Sequence, residues 1–170
     1  MHTDLHWVDA GASVRLALMP RPRGDDWLPD EVRAWHLAGV SHVVSLLEPH
    51  EVRDLGLQRE PSLCGEAGMG FFSYPIVDRG VPASADETAR LVYELRLALC
   101  AGEAIAVHCR AGIGRSALVV ACVMVALGFT PAEAFARIGQ ARGLPVPDTP
   151  LQVEWLNKYK RHFTWFVDSV

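Results

Sequence analysis

Cys109 and Arg115, with five residues between them, bracket the segment His108-Cys-Arg-Ala-Gly-Ile-Gly-Arg-Ser116. A loop of that length, curled around an anion, brings its first and last residues to one ligand. Arg115 would then hold two oxygens of a phosphoryl group through its planar fork, a geometry that lysine does not offer. Cys109 would aim its sulfur at the phosphorus. An ordinary cysteine is only a few per cent thiolate at pH 7, and a helix N-terminus with nearby cations shifts such a thiol toward the nucleophilic anion. Ser116 follows with a hydroxyl able to bond that sulfur. Gly112 and Gly114 let the backbone turn its amides inward. His108, Ala111 and Ile113 complete the expected phosphate-binding loop, and Arg110 either lines its entrance or faces solvent.

The flanking segments supply a mount. Ala104-Ile-Ala-Val107 is short and apolar, as suits a strand buried on both faces. Ala117–Ala126 is a longer apolar run with no breaker, as suits a buried helix. Strand, glycine loop and helix together aim backbone N–H groups at one point, and the helix end adds unpaired donors and about half a positive charge. Mounted in this way, the segment resembles the signature loop of the cysteine-based protein tyrosine phosphatases, in which His-Cys is followed by five residues and Arg-Ser or Arg-Thr. Rhodanese-like domains also open an anion loop with cysteine, but they lack the Arg-Ser ending. The resemblance implies that His108 orients the loop and helps to activate the thiol.

A cysteine phosphatase must protonate its leaving group and later deprotonate water, and one carboxyl group serves both steps. Asp78 lies just past an expected strand that runs parallel to the one before Cys109. Both loops should then open on the carboxyl edge of the sheet, where ligands bind in such folds. Tyr74-Pro-Ile-Val-Asp-Arg-Gly-Val-Pro82 also resembles the family's general-acid loop. Asp86 is the rival, although the first turn of a helix favours aspartate anyway. Gln152 is accounted for by a capping box with Thr149, and its place is also similar to that of the glutamine that positions the hydrolytic water in tyrosine-specific family members. Cys64 is either an inert buried thiol or an oxidative partner of Cys109. His2 and His6 share helical spacing in a segment expected to fray, so no metal site is read there.

The chain has 170 residues, half of them hydrophobic, a net charge of −4 and no basic block. One domain over residues 1–170 and no nucleic-acid partner are expected. No signal peptide or membrane-length apolar run is visible, and the four cysteines show no C-x-x-C spacing, so the cytoplasm is the expected compartment.

In chain order, strands are expected at Val14–Leu18, Ser41–Leu47, Gly70–Val77 and Ala104–Val107. Helices are expected from Asp30 to Ala38 (Val32, Trp35 and Leu37 inward), after Glu48, near Pro61–Ala67, and from Ser84 to Gly102. The Ser84 helix is read with a Ser84–Glu87 capping box and Leu91, Leu95, Leu97 and Leu99 inward. Further helices follow at Ser116–Leu127, Thr130–Gly143 and from Thr149. The alternation predicts an α/β fold, a mostly parallel sheet of four to five strands with helices on both faces.

The short length and Pro147-Asp-Thr-Pro-Leu-Gln-Val-Glu-Trp155 are similar to the kinase-associated group within the dual-specificity branch. The resemblance implies a metal-independent phosphatase, without cofactor, acting through a cysteinyl phosphate on phosphorylated proteins. Phosphotyrosine comes first. Phosphoserine and phosphothreonine stay open, because the ring-sandwiching tyrosine motif of tyrosine-specific members is missing. Ile113 stands where lipid phosphatases of the superfamily carry lysine, which disfavours inositol polyphosphates. The alternatives are a module that binds phosphorylated partners without turnover, and a phosphatase of a non-protein phosphoester.

Overall fold

A computed structural model describes residues 3–164. Five strands, β1 (His6–Val8), β2 (Arg15–Met19), β3 (His42–Ser45), β4 (Gly70–Ser73) and β5 (Ala104–His108), form one sheet in the order β1-β2-β5-β3-β4. Only β1 is antiparallel to its neighbour. The alternating strand and helix pattern gives the expected α/β fold.

The strand period of two splits the sheet's side chains into two cores. Leu16, Leu18, Val44, Ile105 and Val107 pack against α4 (Ala85–Cys100), α5 (Arg115–Ala126), α6 (Pro131–Arg142) and α7 (Pro150–Tyr159). Met19, Val43 and Ala106 pack on the opposite face, against α1 (Leu28–Leu37) and α3 (Glu60–Glu66). All twelve residues of α5 are buried, as an all-round apolar helix requires. Each buried Leu or Val contributes about 1.5–3 kcal/mol, so α5 is firmly seated and fixes Arg115 and Ser116 in its first turn.

β5 lies between β2 and β3 and is parallel to both, with His108 in register with Met19 and Ser45. Three parallel strands therefore finish level with one another at the edge where Cys109 begins. The fourth, β4, ends at Ser73, level with Ser45 of β3, rather than at Val77, because the parallel register slips by one residue beyond it. The chain stays attached beyond it through Tyr74 N to Ser45 O and Ile76 N to Leu46 O. Past Ile76 the chain leaves the sheet and carries Asp78 to the cavity beside Arg115.

Several expectations are corrected. The N-terminal segment is a strand, since His6–Val8 has β2 to pair with. Leu28 begins α1 with Pro29 in the first turn, and Leu37 is 78% exposed while Leu28 is buried in its place. Ser84 Oγ accepts from Glu87 N at 3.2 Å, but Glu87 makes no return bond, so only half of that capping box forms. Leu97 faces outward and Leu91 is half-buried; Thr88 and Val92 fill the inner face beside Leu95 and Leu99. The boxes at Thr130–Glu133 and Thr149–Gln152 form in full. A further short helix, α2 (Pro49–Asp54), follows β3 as expected.

Candidate active site

The backbone from Cys109 to Gly114 curls between the end of β5 and the start of α5. Its outer face is tied down. Arg21 N donates to Arg110 O at 3.2 Å, and Arg142 of α6 donates to Ala111 O at 3.2 Å and Gly112 O at 2.8 Å. In a trans peptide the next N–H points opposite to the carbonyl, so three outward carbonyls turn three amides inward. Gly112 N accordingly donates to Cys109 Sγ at 3.3 Å, and Ser116 Oγ lies 3.4 Å from the same sulfur. Gly112 has φ +69°, and a Cβ there would sit 2.6 Å from Met19 C and Pro20 N. No side chain fits.

Arg115 is oriented by a residue that sequence reasoning missed. Glu51, in the first turn of α2, receives Nη1 at 2.7 Å and Nη2 at 3.0 Å, and Nη1 also donates to Ile76 O at 3.0 Å. Both side chains are buried. Burial opposes the charge on Glu51, but the hydrogen bonds from Arg115 and the Glu48 amide, then the charges of Arg115 and Arg110, outweigh it and hold the carboxyl below the ordinary range. Burial likewise opposes the Arg115 charge. The Glu51 bonds and the charges of Cys109, Glu51 and Asp78 more than offset it, so the guanidinium is held protonated.

Asp78 Oδ1 lies 3.0 Å from Arg115 Nη2 and accepts from Arg79 N, with its side chain more than half exposed. Asp78, Arg79, Cys109, Arg110, Ala111, Ile113, Gly114, Arg115 and Asp148 line one cavity of about 280 Å³. Arg110 therefore lines the cavity and is also largely solvent-exposed. Asp86 lies elsewhere, on α4, 3.6 Å from His162. His108 and Gly112 support the loop from behind. His108 is fully buried, with Nε2 2.8 Å from Glu60 Oε1.

Cys64 packs on the opposite face of the sheet from Cys109, and burial, then the charge of Glu60, pushes its thiol up to about 12. The Cys64 side chain is fully buried. His6 Nε2 accepts from Arg142 Nη1 at 2.7 Å while Nδ1 donates to Ala141 O at 3.2 Å. Burial and then the Arg142 charge lower its pKa. His2 lies outside the described residues. Among the described residues, no cluster of three or more His, Cys, Asp or Glu is placed to hold a metal, and no helix is long and apolar enough to cross a membrane.

Residues 4–162 match the profile of a family described as Swiss Army Knife protein, DSP-PTPase phosphatase domain. The chain belongs to this phosphatase family. The phosphatase chain is 33% identical over 102 residues to protein tyrosine phosphatase domain-containing protein 1 of Danio rerio, covering 55% of this chain and 14% of that protein. It is 30% identical over 112 residues to cyclin-dependent kinase inhibitor 3 of Sus scrofa, covering 63% of this chain and 52% of that one. The chain thus spans between a seventh and about half of the length of these curated relatives. A crystal structure of kinase-associated phosphatase, with its catalytic-site cysteine replaced by serine, superposes with a TM-score of 0.84 at 18% identity, covering 96% of this chain and 97% of that one. That likeness is one of fold.

Proposed function

We propose that the 170 residues act as one catalytic domain that hydrolyses phosphomonoesters on proteins, phosphotyrosine first, through a cysteinyl phosphate on Cys109. The observation that carries this is the convergence of Cys109, Arg115 and Asp78 on a single cavity floored by inward amides. Substrate phosphate displaces Asp78 from part of its contact with Arg115, whose fork takes two equatorial oxygens. The Cys109 thiolate attacks phosphorus in line, forming the S–P bond as the P–O bond to the leaving group breaks. Asp78 gives its proton to the departing oxygen.

Water then attacks the phosphocysteine, losing a proton to the Asp78 carboxylate, and phosphate leaves with the thiolate restored. Arg115 and the loop amides meet the developing charge on the equatorial oxygens throughout, a preorganised electrostatic role. Ser116 holds the sulfur anion as it departs in this second step. The charge is balanced by protein groups alone, so no step calls for a metal. Because a reduced Cys109 is required, a reducing compartment such as the cytoplasm suits the protein. The similarity to protein tyrosine phosphatase domain-containing protein 1 supports phosphotyrosine as the first substrate.

Hydrolysis of p-nitrophenyl phosphate in the presence of chelator and reductant tests the reading. Turnover that disappears in Cys109→Ser is the expected result. A protein that binds phosphate tightly but never turns over would instead be a recognition module.

A further inference from the structure

The start of α7 is wedged between the two catalytic loops. Gln152 is fully buried; its Nε2 donates to Gly80 O at 3.0 Å, and its Oε1 accepts from Thr149 N at 3.2 Å. Asp148, just ahead of the helix, pairs at 3.2 Å with Arg79, the neighbour of Asp78. On the other side, a Cβ on Gly114 would lie 2.8 Å from Asp148 Cβ and 3.0 Å from Gln152 Nε2. The same two side chains therefore touch the signature loop and the loop that carries Asp78.

That second loop needs an outside hold. Arg79 has φ +57°, a conformation that a residue with a Cβ adopts at a cost and keeps only when its surroundings enforce it. Asp78 itself is more than half exposed, so packing does not fix it. What fixes the loop on the α7 side is one bond from Gln152 to the Gly80 carbonyl and one ion pair from Asp148 to Arg79.

We propose that Gln152, aided by the Asp148–Arg79 pair, is a positioning residue that holds Asp78 over Arg115 and thereby governs proton delivery to the leaving group. The proposal rests on Asp78 being the acid. It also gives Gln152 a different task from directing the hydrolytic water. The two tasks separate kinetically, because kcat/KM ends with the first irreversible step, formation of the phosphocysteine, whereas water attack enters only kcat. A misplaced acid lowers kcat/KM for leaving groups that need a proton and spares those that depart unaided. Misdirected water lowers kcat for every substrate and leaves kcat/KM alone.

Gln152→Glu keeps the acceptor that caps α7, since glutamate is a standard residue at this place in the box, and removes the donor to Gly80. Gln152→Met, uncharged and of similar length, is measured beside it so that a folding defect in one variant decides nothing. Arg79→Gln, at an exposed site, cuts the outer tie. With full-length protein and a series from phenyl to p-nitrophenyl phosphate, the Gln152 variants should lose roughly 10- to 100-fold in kcat/KM at the phenyl end. At the p-nitrophenyl end the loss should stay within about threefold. Arg79→Gln should show the same slope at smaller size, and adding Gln152→Glu to Asp78→Asn should cost nothing further in kcat/KM. An equal loss across the series, or a loss confined to kcat, overturns the proposal. A flat series for Asp78→Asn alone would remove the acid assignment and this inference with it. A steep series for Asp78→Asn with a flat one for the Gln152 variants removes the inference only.

Discussion

Glu51 should matter as much to the folded state as to turnover, and Glu51→Gln separates charge from shape. The wild-type carboxylate takes two bonds from a guanidinium that is only 2% exposed. The amide keeps one acceptor oxygen, sets an NH₂ group against the other Arg115 nitrogen, and leaves the buried cation without its counter-charge. Removing one partner of a buried pair costs about 3–5 kcal/mol; the retained oxygen and the nearby Asp78 bring this down to about 2–4 kcal/mol. At about 2–4 °C per kcal/mol for a chain of this size, the midpoint of a thermal melt followed by circular dichroism should fall by about 4–16 °C.

Activity should fall too, because a guanidinium that swings loses aim at the equatorial oxygens; kcat/KM for p-nitrophenyl phosphate should drop on the order of 10- to 100-fold. The pH dependence gives a second reading. The Glu51 carboxyl sits below its ordinary 4.5, so its contribution is fully present above that value and is lost as pH falls through the folded-state value. The gap in melting temperature between the two proteins should therefore close in acid. A variant melting within about 2 °C of the wild type, with kcat/KM unchanged within about twofold, would refute this account of how Arg115 is held.

Asp78→Asn should slow phenyl phosphate far more than p-nitrophenyl phosphate, read as the slope of log kcat/KM against leaving-group pKa. Gly112→Ala forces a Cβ into Met19 and Pro20 at a left-handed position, so phosphatase activity should be lost on the order of 10²-fold while the far-ultraviolet spectrum stays native. His6 is held neutral with its pKa below 6.5, so it favours the folded state above that pH and loses this contribution as pH falls through the folded value. His6→Gln, which keeps an acceptor for Arg142, should melt with a smaller difference between pH 7 and pH 5 than the wild type. Cys64→Ala should leave both the rate and the reductant reversal of peroxide inactivation unchanged, since Cys64 lies across the sheet from Cys109.

The shape of the signature loop was legible because it is local. The spacing of Cys109 and Arg115, the glycines between them and the apolar runs on either side lie within one short stretch, and the loop closes on itself without help from the rest of the chain to indicate its shape. Helix starts at Thr130 and Thr149 were readable for the same reason, a cap and its partner three residues apart. Glu51, Glu60 and Arg142 were not, because each acquires its role only when α2, α3 and α6 dock against the loop from outside. An acidic residue in a short helix carries no mark of burial in its sequence, although the Glu48–Glu51 box did offer a sign that α2 begins there. Leu37 and Leu97 misled for a related reason. Helical spacing names a stripe, and only the sheet decides which edge of that stripe is covered. His6–Val8 is too short to show a period, and it becomes a strand because β2 offers it an open edge.

The covalent step is the centre of the account, and rapid-quench mass spectrometry tests it most directly. Wild-type protein mixed with excess p-nitrophenyl phosphate, quenched in acid within the first turnover and digested, should carry one phosphoryl group on the peptide containing Cys109. The same experiment on Cys109→Ser should show no nitrophenolate burst. A phosphoryl group on any other residue, or full turnover with no phosphorylated peptide formed at a kinetically competent rate, would contradict it.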